Sequence, residues 1–519
     1  MRAVKNRAAI LTATALLLIL GGGPLGAEEK TEGLPEAVRV ELLRLEETYH
    51  VLDHTAAKVW PGWTNYRDFP FRFSFENGLR VLVGPFSPPE GYALVPDIQV
   101  EGKPVYVDAR RVEPLRLVQP LRAGGGISSL GTAGGKPVPL IDISLSRSMP
   151  ADNVKGRRFE TETTILTYIH ELFHCFQEER LPVPYPNFRY NPDTGFATYS
   201  EVEGAALGKA YEAGDPEEAK RCLKDFLLAR RLKRKGMAEF DAHCESGDEV
   251  REGTAVYAEV RSLEALDAGF KPWLASAWDP YYRGFADLGA LLRVYSERLD
   301  KRKALTYSYL KGYEYGCYQA LLLQRLFPGW QKPFSEKTDL LDRELAARVG
   351  LSADEERLAR RRFEQVYGFS RIQARHKKAV RERDAAYQTI SSRQGRTYVV
   401  SFKPIHQFAS ALVDPRKKKY EVGLMDIYPA SVGTVKTDDI EIRFAKVPVE
   451  INQLYHFRVV DVGWKSRKAP YTIRYEAKEG EDIYARVTLT TPLFELKAPR
   501  IRITEEPTRV KIQILNRVS

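Results

Sequence analysis

His170-Glu171-Leu172-Phe173-His174 is the stretch of this chain whose residue types and spacing can do chemistry. On a helix of 3.6 residues per turn the two histidines stand one turn apart on one face, where both imidazoles reach a single zinc ion. Glu171 then lies beside the ion. A carboxylate there can take a proton from a zinc-bound water whose pKa the metal lowers to about 7, giving a nucleophile at neutral pH. A catalytic zinc takes three protein ligands and a water, so a third ligand is expected downstream. Two glutamates compete for that place: Glu252, in Arg251-Glu252-Gly253-Thr254-Ala255-Val256-Tyr257-Ala258-Glu259, and Glu203, in Glu201-Val202-Glu203-Gly204. Glu252 follows His174 by 78 residues and Glu203 by 29.

Elements must position these groups. Ile165, Leu166, Ile169, Leu172, Phe173 and Phe176 recur at helical spacing, and no Pro or Gly interrupts Thr161 to Glu179, so a helix is expected there. Further helices are expected over Leu34 to Val59, Ser200 to Ala213, Pro216 to Gly236, Asp248 to Ala268, Tyr307 to Phe327, Ser352 to Tyr367 and Ser370 to Ile390. Ser352-Ala353-Asp354-Glu355 has the form of a capping box. Between Phe69 and Ser146 short runs such as Phe71 to Phe75, Leu79 to Val83, Pro104 to Val107 and Val138 to Ile143 read as strands of a small sheet. Gly124-Gly125-Gly126 and Gly134-Gly135 lack the phosphate-loop patterns and read as flexible loops. From Arg396 onward strand signals return at a spacing that suggests a β-sandwich of about immunoglobulin size. The fold class expected is α+β.

The composition is that of a globular protein, with 519 residues and a formal net charge of +10. Much of the basic excess lies from Arg396 to Ser519, with 22 Lys and Arg against 15 Asp and Glu, and it peaks at Arg416-Lys417-Lys418-Lys419. No nucleic-acid motif surrounds that run, so a solvated turn is expected, no nucleic-acid partner is expected, and weak attraction to anionic surfaces stays open. Arg2, Lys5 and Arg7 precede an apolar run from Ala8 to Leu20, followed by Gly21-Gly22-Gly23-Pro24 and the small residues ending at Ala27. This is the pattern of a cleaved secretory signal, since about 20 apolar residues are needed to span a bilayer. The mature chain is expected to have no transmembrane segment and to be exported, periplasmic or secreted. Four cysteines are too few for a disulfide-built scaffold; Cys175 reads as a small core residue, while Cys222 and Cys244 could pair. His50 and His54, also one helical turn apart, form a second geometric pair, read as packed or solvated.

His-Glu-x-x-His followed by Glu-Gly-x-Ala-x-Tyr on a later helix resembles the gluzincin zinc metallopeptidases, over roughly Val138 to Tyr257. The resemblance implies that His170 and His174 bind Zn²⁺, that Glu252 completes the site with Glu203 as alternative, and that Glu171 is the general base. It also implies a zincin-like catalytic region in which Leu140 to Ser144 is an edge strand that pairs with an extended protein or peptide substrate. Gly253 and Ala255 would let their helix approach the first one closely. Tyr257, Tyr313 and Tyr315 are tyrosines that could assist a transition-state oxyanion, although core packing is the expectation for each. The organisation expected is a signal peptide at 1–27, an N-terminal helix and sheet at 28–150, a helical zinc-binding region at 151–395 and a C-terminal sandwich at 396–519, available for surface or protein contact. A binding protein with a structural or vestigial zinc site, and a zinc hydrolase of non-peptide amides, are the alternatives.

Overall fold

The computed structural model describes residues 34–75, 77–84, 90–108, 122–133, 136–146, 159–181, 193–266, 269–273, 279, 282–293, 311–337, 340–391, 395–402, 420–422, 425–428, 434–436, 440–445, 447–452, 456–461, 471–507 and 509–515. The expected signal peptide, Gly134-Gly135 and the run from Arg416 to Lys419 lie outside these residues. Helices and strands are both abundant, as expected for an α+β chain. The described residues fall into two compact units, one drawn from 1–147, 154–182 and 258–295, the other from 148–153, 183–257 and 296–519. No described helix is long and apolar enough to cross a membrane.

In the first unit, β1 (Phe71–Phe75), β2 (Arg80–Val83), β3 (Tyr92–Val100), β4 (Lys103–Asp108), β5 (Arg122–Ala133) and β6 (Lys136–Ser146) form a sheet in the order β3-β4-β2-β1-β6-β5. Among the described pairings of this sheet, only that of β1 with β6 is parallel. Alternation sets the faces of β1: Phe71, Phe73 and Phe75 are buried, while Arg72 on the other face pairs with Asp142 beside it on β6. Helix α1 (Glu36–Val59) packs on α2 (Glu160–Arg180), and α2 packs on β5 and β6. Tyr168 of α2 meets Phe71 and Phe73, whereas Phe173 meets Trp60 and Trp63. The start of α2 is fixed by Arg44 of α1, which donates to Asp279 at 2.7 Å and to Thr161 at 3.0 Å, with all three residues buried.

Two expectations about this sheet are corrected. The glycines Gly124, Gly125 and Gly126 are not a loop but part of β5, in register with Ser144, Ile143 and Asp142. Consequently Leu140 to Ser144 is not an edge: β6 lies between β1 and β5, and β5 takes the edge.

The second unit holds α3 (Thr194–Glu212), α4 (Pro216–Arg234), α6 (Lys311–Leu326), α7 (Gln331–Lys337), α8 (Leu341–Val349), α9 (Ala353–Gln365) and α10 (Phe369–Ser391). It also holds α5 (Glu239–Ala265) as far as Tyr257; the same unbroken helix continues into the first unit from Ala258. Helix starts follow capping chemistry. Asp193 accepts from the Phe196 N–H, Asp215 accepts from the Glu218 N–H ahead of a helix that opens on Pro216, and Ser352 with Glu355 forms the capping box. Helix α5 begins nine residues before the expected Asp248, and α7 and α8 were not expected.

Twelve strands follow: β7 (Arg396–Phe402), β8 (Tyr420–Val422), β9 (Met425–Tyr428), β10 (Thr434–Lys436), β11 (Glu441–Phe444), β12 (Val449–Asn452), β13 (His456–Asp461), β14 (Thr472–Arg474), β15 (Ala477–Lys478), β16 (Ile483–Thr490), β17 (Phe494–Glu506) and β18 (Arg509–Ile514). They hydrogen-bond as one connected sheet, in which the long β17 pairs with β11, β16 and β18. A single core cluster draws on β7, β11, β12, β13, β16, β17 and β18. All four cysteines are buried free thiols, Cys222 and Cys244 included.

Candidate metal centre

Every residue of α2 from Tyr168 to Gln177 is buried, which removes the histidine face from bulk water. His170 is 7 % exposed, Glu171 6 % and His174 4 %. The imidazole centroids are 4.6 Å apart with planes at 89°. A ring in such a place needs a partner for each nitrogen. His174 donates its Nδ1–H to Gln177 Oε1 at 2.6 Å, one turn further along α2, and His170 Nδ1 meets Glu259 Oε1 of α5 at the same distance. With Nδ1 serving as donor, Nε2 is the nitrogen of each ring that could act as a metal ligand.

Glu252 stands two turns before Glu259 on the same helix, so it projects on the same side and nearer the helix start. Among the described residues, one group of His, Cys, Asp or Glu side chains brings three ligand atoms together: His170, His174 and Glu252, all buried, with those atoms within 4.8 Å of one another. Two imidazoles and a carboxylate are a borderline-soft donor set that suits Zn²⁺. The charge around Glu252 also suits a cation. Asp248, one turn earlier, is pushed up to about 7 by burial and by Glu252, Glu249 and Glu245. A positive ion at Glu252 would relieve that repulsion further than Arg251 does from 3.8 Å. The Glu171 carboxylate makes no hydrogen bond or ion pair with a described residue, and so is available to a water or a substrate beside the histidines.

Glu203 is engaged elsewhere. Its carboxylate accepts from Arg230 at 2.6 Å, Lys233 at 2.6 Å and Lys311 at 3.0 Å, with no exposed surface. Burial alone would raise its pKa, but Lys233, Lys311 and Arg230 outweigh that and hold the carboxyl down at about 2. Glu245 and Glu249 share the same cations. Arg230 grips Glu249 with both terminal nitrogens, at 2.5 and 2.6 Å, and so fixes the turn of α5 that precedes Glu252.

Gly253 makes a close contact with α6. A Cβ on Gly253 would overlap the Cα of Gly316 on α6, and a Cβ on Gly316 would overlap the carbonyl of Glu249. Gly253 thus admits the close approach of α6. Tyr257 packs edge-on against Trp330 and accepts from Gln331 at 2.9 Å, while Tyr315 donates to the Ser200 carbonyl at 2.7 Å. Both are core residues, and Tyr313 is half-buried on α6. Sequence reasoning missed Glu259 and Gln177. Their signals were present as helical offsets, seven residues after Glu252 and three after His174. Set against family models, curated proteins and solved structures, the chain matches none of them.

Proposed function

We propose that this chain is an exported zinc-dependent metallopeptidase. The observation that supports it above all is the convergence of His170, His174 and Glu252 within 4.8 Å, beside a glutamate, Glu171, with no other described partner. His170, His174 and Glu252 would hold the zinc ion, which when bound would supply Lewis-acid chemistry toward a water and a carbonyl. Glu171 takes the proton released by the attacking water and carries it to the departing nitrogen. Glu259 and Gln177 hold the imidazoles in the tautomer that binds metal. Among the described strands β5, which packs on α2, lies last in the sheet and is the strand an extended substrate would join. The finer fold reading that goes with this function is a zincin-like catalytic region followed by a sandwich built from the C-terminal ladder.

The test is zinc content measured beside hydrolysis of a peptide library by the purified mature protein. Glu171→Ala is expected to keep stoichiometric zinc and lose about 10²- to 10⁴-fold in rate, the usual worth of a positioned general base. His174→Ala is expected to lose the tightly held zinc together with the activity. Peptidase activity retained in Glu171→Ala overturns the mechanism.

A further inference from the structure

We propose a second, surface metal site on α1, formed by His50 and His54 and taking a late first-row divalent ion such as Zn²⁺ or Cu²⁺. The two residues are one turn apart, and their ring centroids are 4.7 Å apart with planes at 77°, close to the 4.6 Å of the buried pair. Backbone carbonyls fix both tautomers, because a carbonyl only accepts. His50 therefore donates Nε2–H to the Lys271 carbonyl at 2.9 Å, and His54 donates Nδ1–H to the His50 carbonyl at 2.9 Å. Each ring is left with one nitrogen lone pair, on Nδ1 of His50 and Nε2 of His54, and no described residue bonds to either.

Phe270 holds the pair in place, with its ring 5.1 Å from that of His50 and 5.3 Å from that of His54. The rings are thereby oriented before any ion arrives, which reduces the ordering cost of binding. Nearby Asp53 supplies no third ligand, since both its oxygens are taken by Arg67. Two imidazoles with water in the remaining positions would make a chelate that follows the general order of divalent affinities, with Cu²⁺ above Zn²⁺. Such a site is weaker than one with three protein ligands. It also ties α1 to the 270–271 segment, because the same rings contact both.

The experiment is equilibrium dialysis against Zn²⁺, with bound metal counted per folded chain, for wild type, His54→Ala and His174→Ala. His54 is solvent-exposed, so its replacement leaves the fold intact, and circular dichroism checks this. The expected result is about two ions per wild-type chain, about one tightly held ion in His54→Ala, and about one weakly held ion in His174→Ala. In Cu²⁺-loaded His174→Ala, electron paramagnetic resonance is expected to report two nitrogen ligands, falling to one or none on adding His54→Ala. Equal zinc binding by wild type and His54→Ala, or a copper spectrum that His54→Ala leaves unchanged, overturns the second site. Neither result touches the assignment of His170, His174 and Glu252, which His174→Ala tests separately.

Discussion

Single residues around the two buried imidazoles divide into those that would bind and those that hold the binders. Glu259 and Gln177 do the holding, each from 2.6 Å, but they are not equivalent. A carboxylate behind an imidazole raises its basicity, whereas an amide oxygen only fixes its tautomer. Glu259→Ala is therefore expected to weaken zinc binding by about 10- to 100-fold, and Glu259→Gln to recover part of the loss, because orientation returns without the charge. Gln177→Ala should cost less than Glu259→Ala. Competition with a chromophoric chelator measures all three, and a Glu259→Ala affinity equal to that of wild type would remove its positioning role.

At the scale of elements, the decisive contacts are those that set the height and rotation of α5. One is the close approach of Gly253 to Gly316. Gly316→Ala must separate α5 from α6, at a cost of about 1–3 kcal/mol for overpacking, and should lower zinc affinity with the ligands untouched. The other is the buried charge network. Glu203→Gln leaves Lys233 and Lys311 short of an anion in the interior, so a loss of about 3–5 kcal/mol is expected in thermal or urea unfolding at neutral pH. The sign of the pH dependence follows from the depressed folded pKa of Glu203. Its stabilising contribution is complete above its ordinary value of 4.5 and is lost as pH falls from there toward about 2. The variant should lack that part of the acid slope.

The same elements explain what could be read in advance. Helix α2 was legible because its apolar spacing, its two histidines and its lack of breakers agree. The first nine residues of α5 were not, because Glu245 and Ser246 are buried there, and polar side chains paired with buried cations defeat a rule that equates burial with apolarity. Strand β5 was missed because its glycines carry no side-chain pattern, and its conformation comes from pairing with β6. Glu252 was favoured over Glu203 by its motif alone; which basic residues surround Glu203 is a tertiary fact, carried by α4 and α6.

For the molecule as a whole, the proposed metal centre would couple binding to folding, since its candidate ligands His174 and Glu252, 78 residues apart in sequence, come together only in the folded chain. Zinc should therefore raise the unfolding temperature. At a free concentration about 100 times the dissociation constant, linkage gives about 2.7 kcal/mol. For units of this size that is a rise of roughly 5–10 °C. Measured in a His54→Ala background, so that the surface pair contributes nothing, the rise should vanish in Glu252→Ala. It should persist in Glu203→Ala, although that variant starts from a lower temperature because its ion network is broken. The two glutamates are thus separated by what they change: Glu252 governs the response to zinc, and Glu203 the baseline. A zinc response kept by Glu252→Ala and lost by Glu203→Ala would transfer the third ligand to Glu203, and with it the assignment of the whole centre.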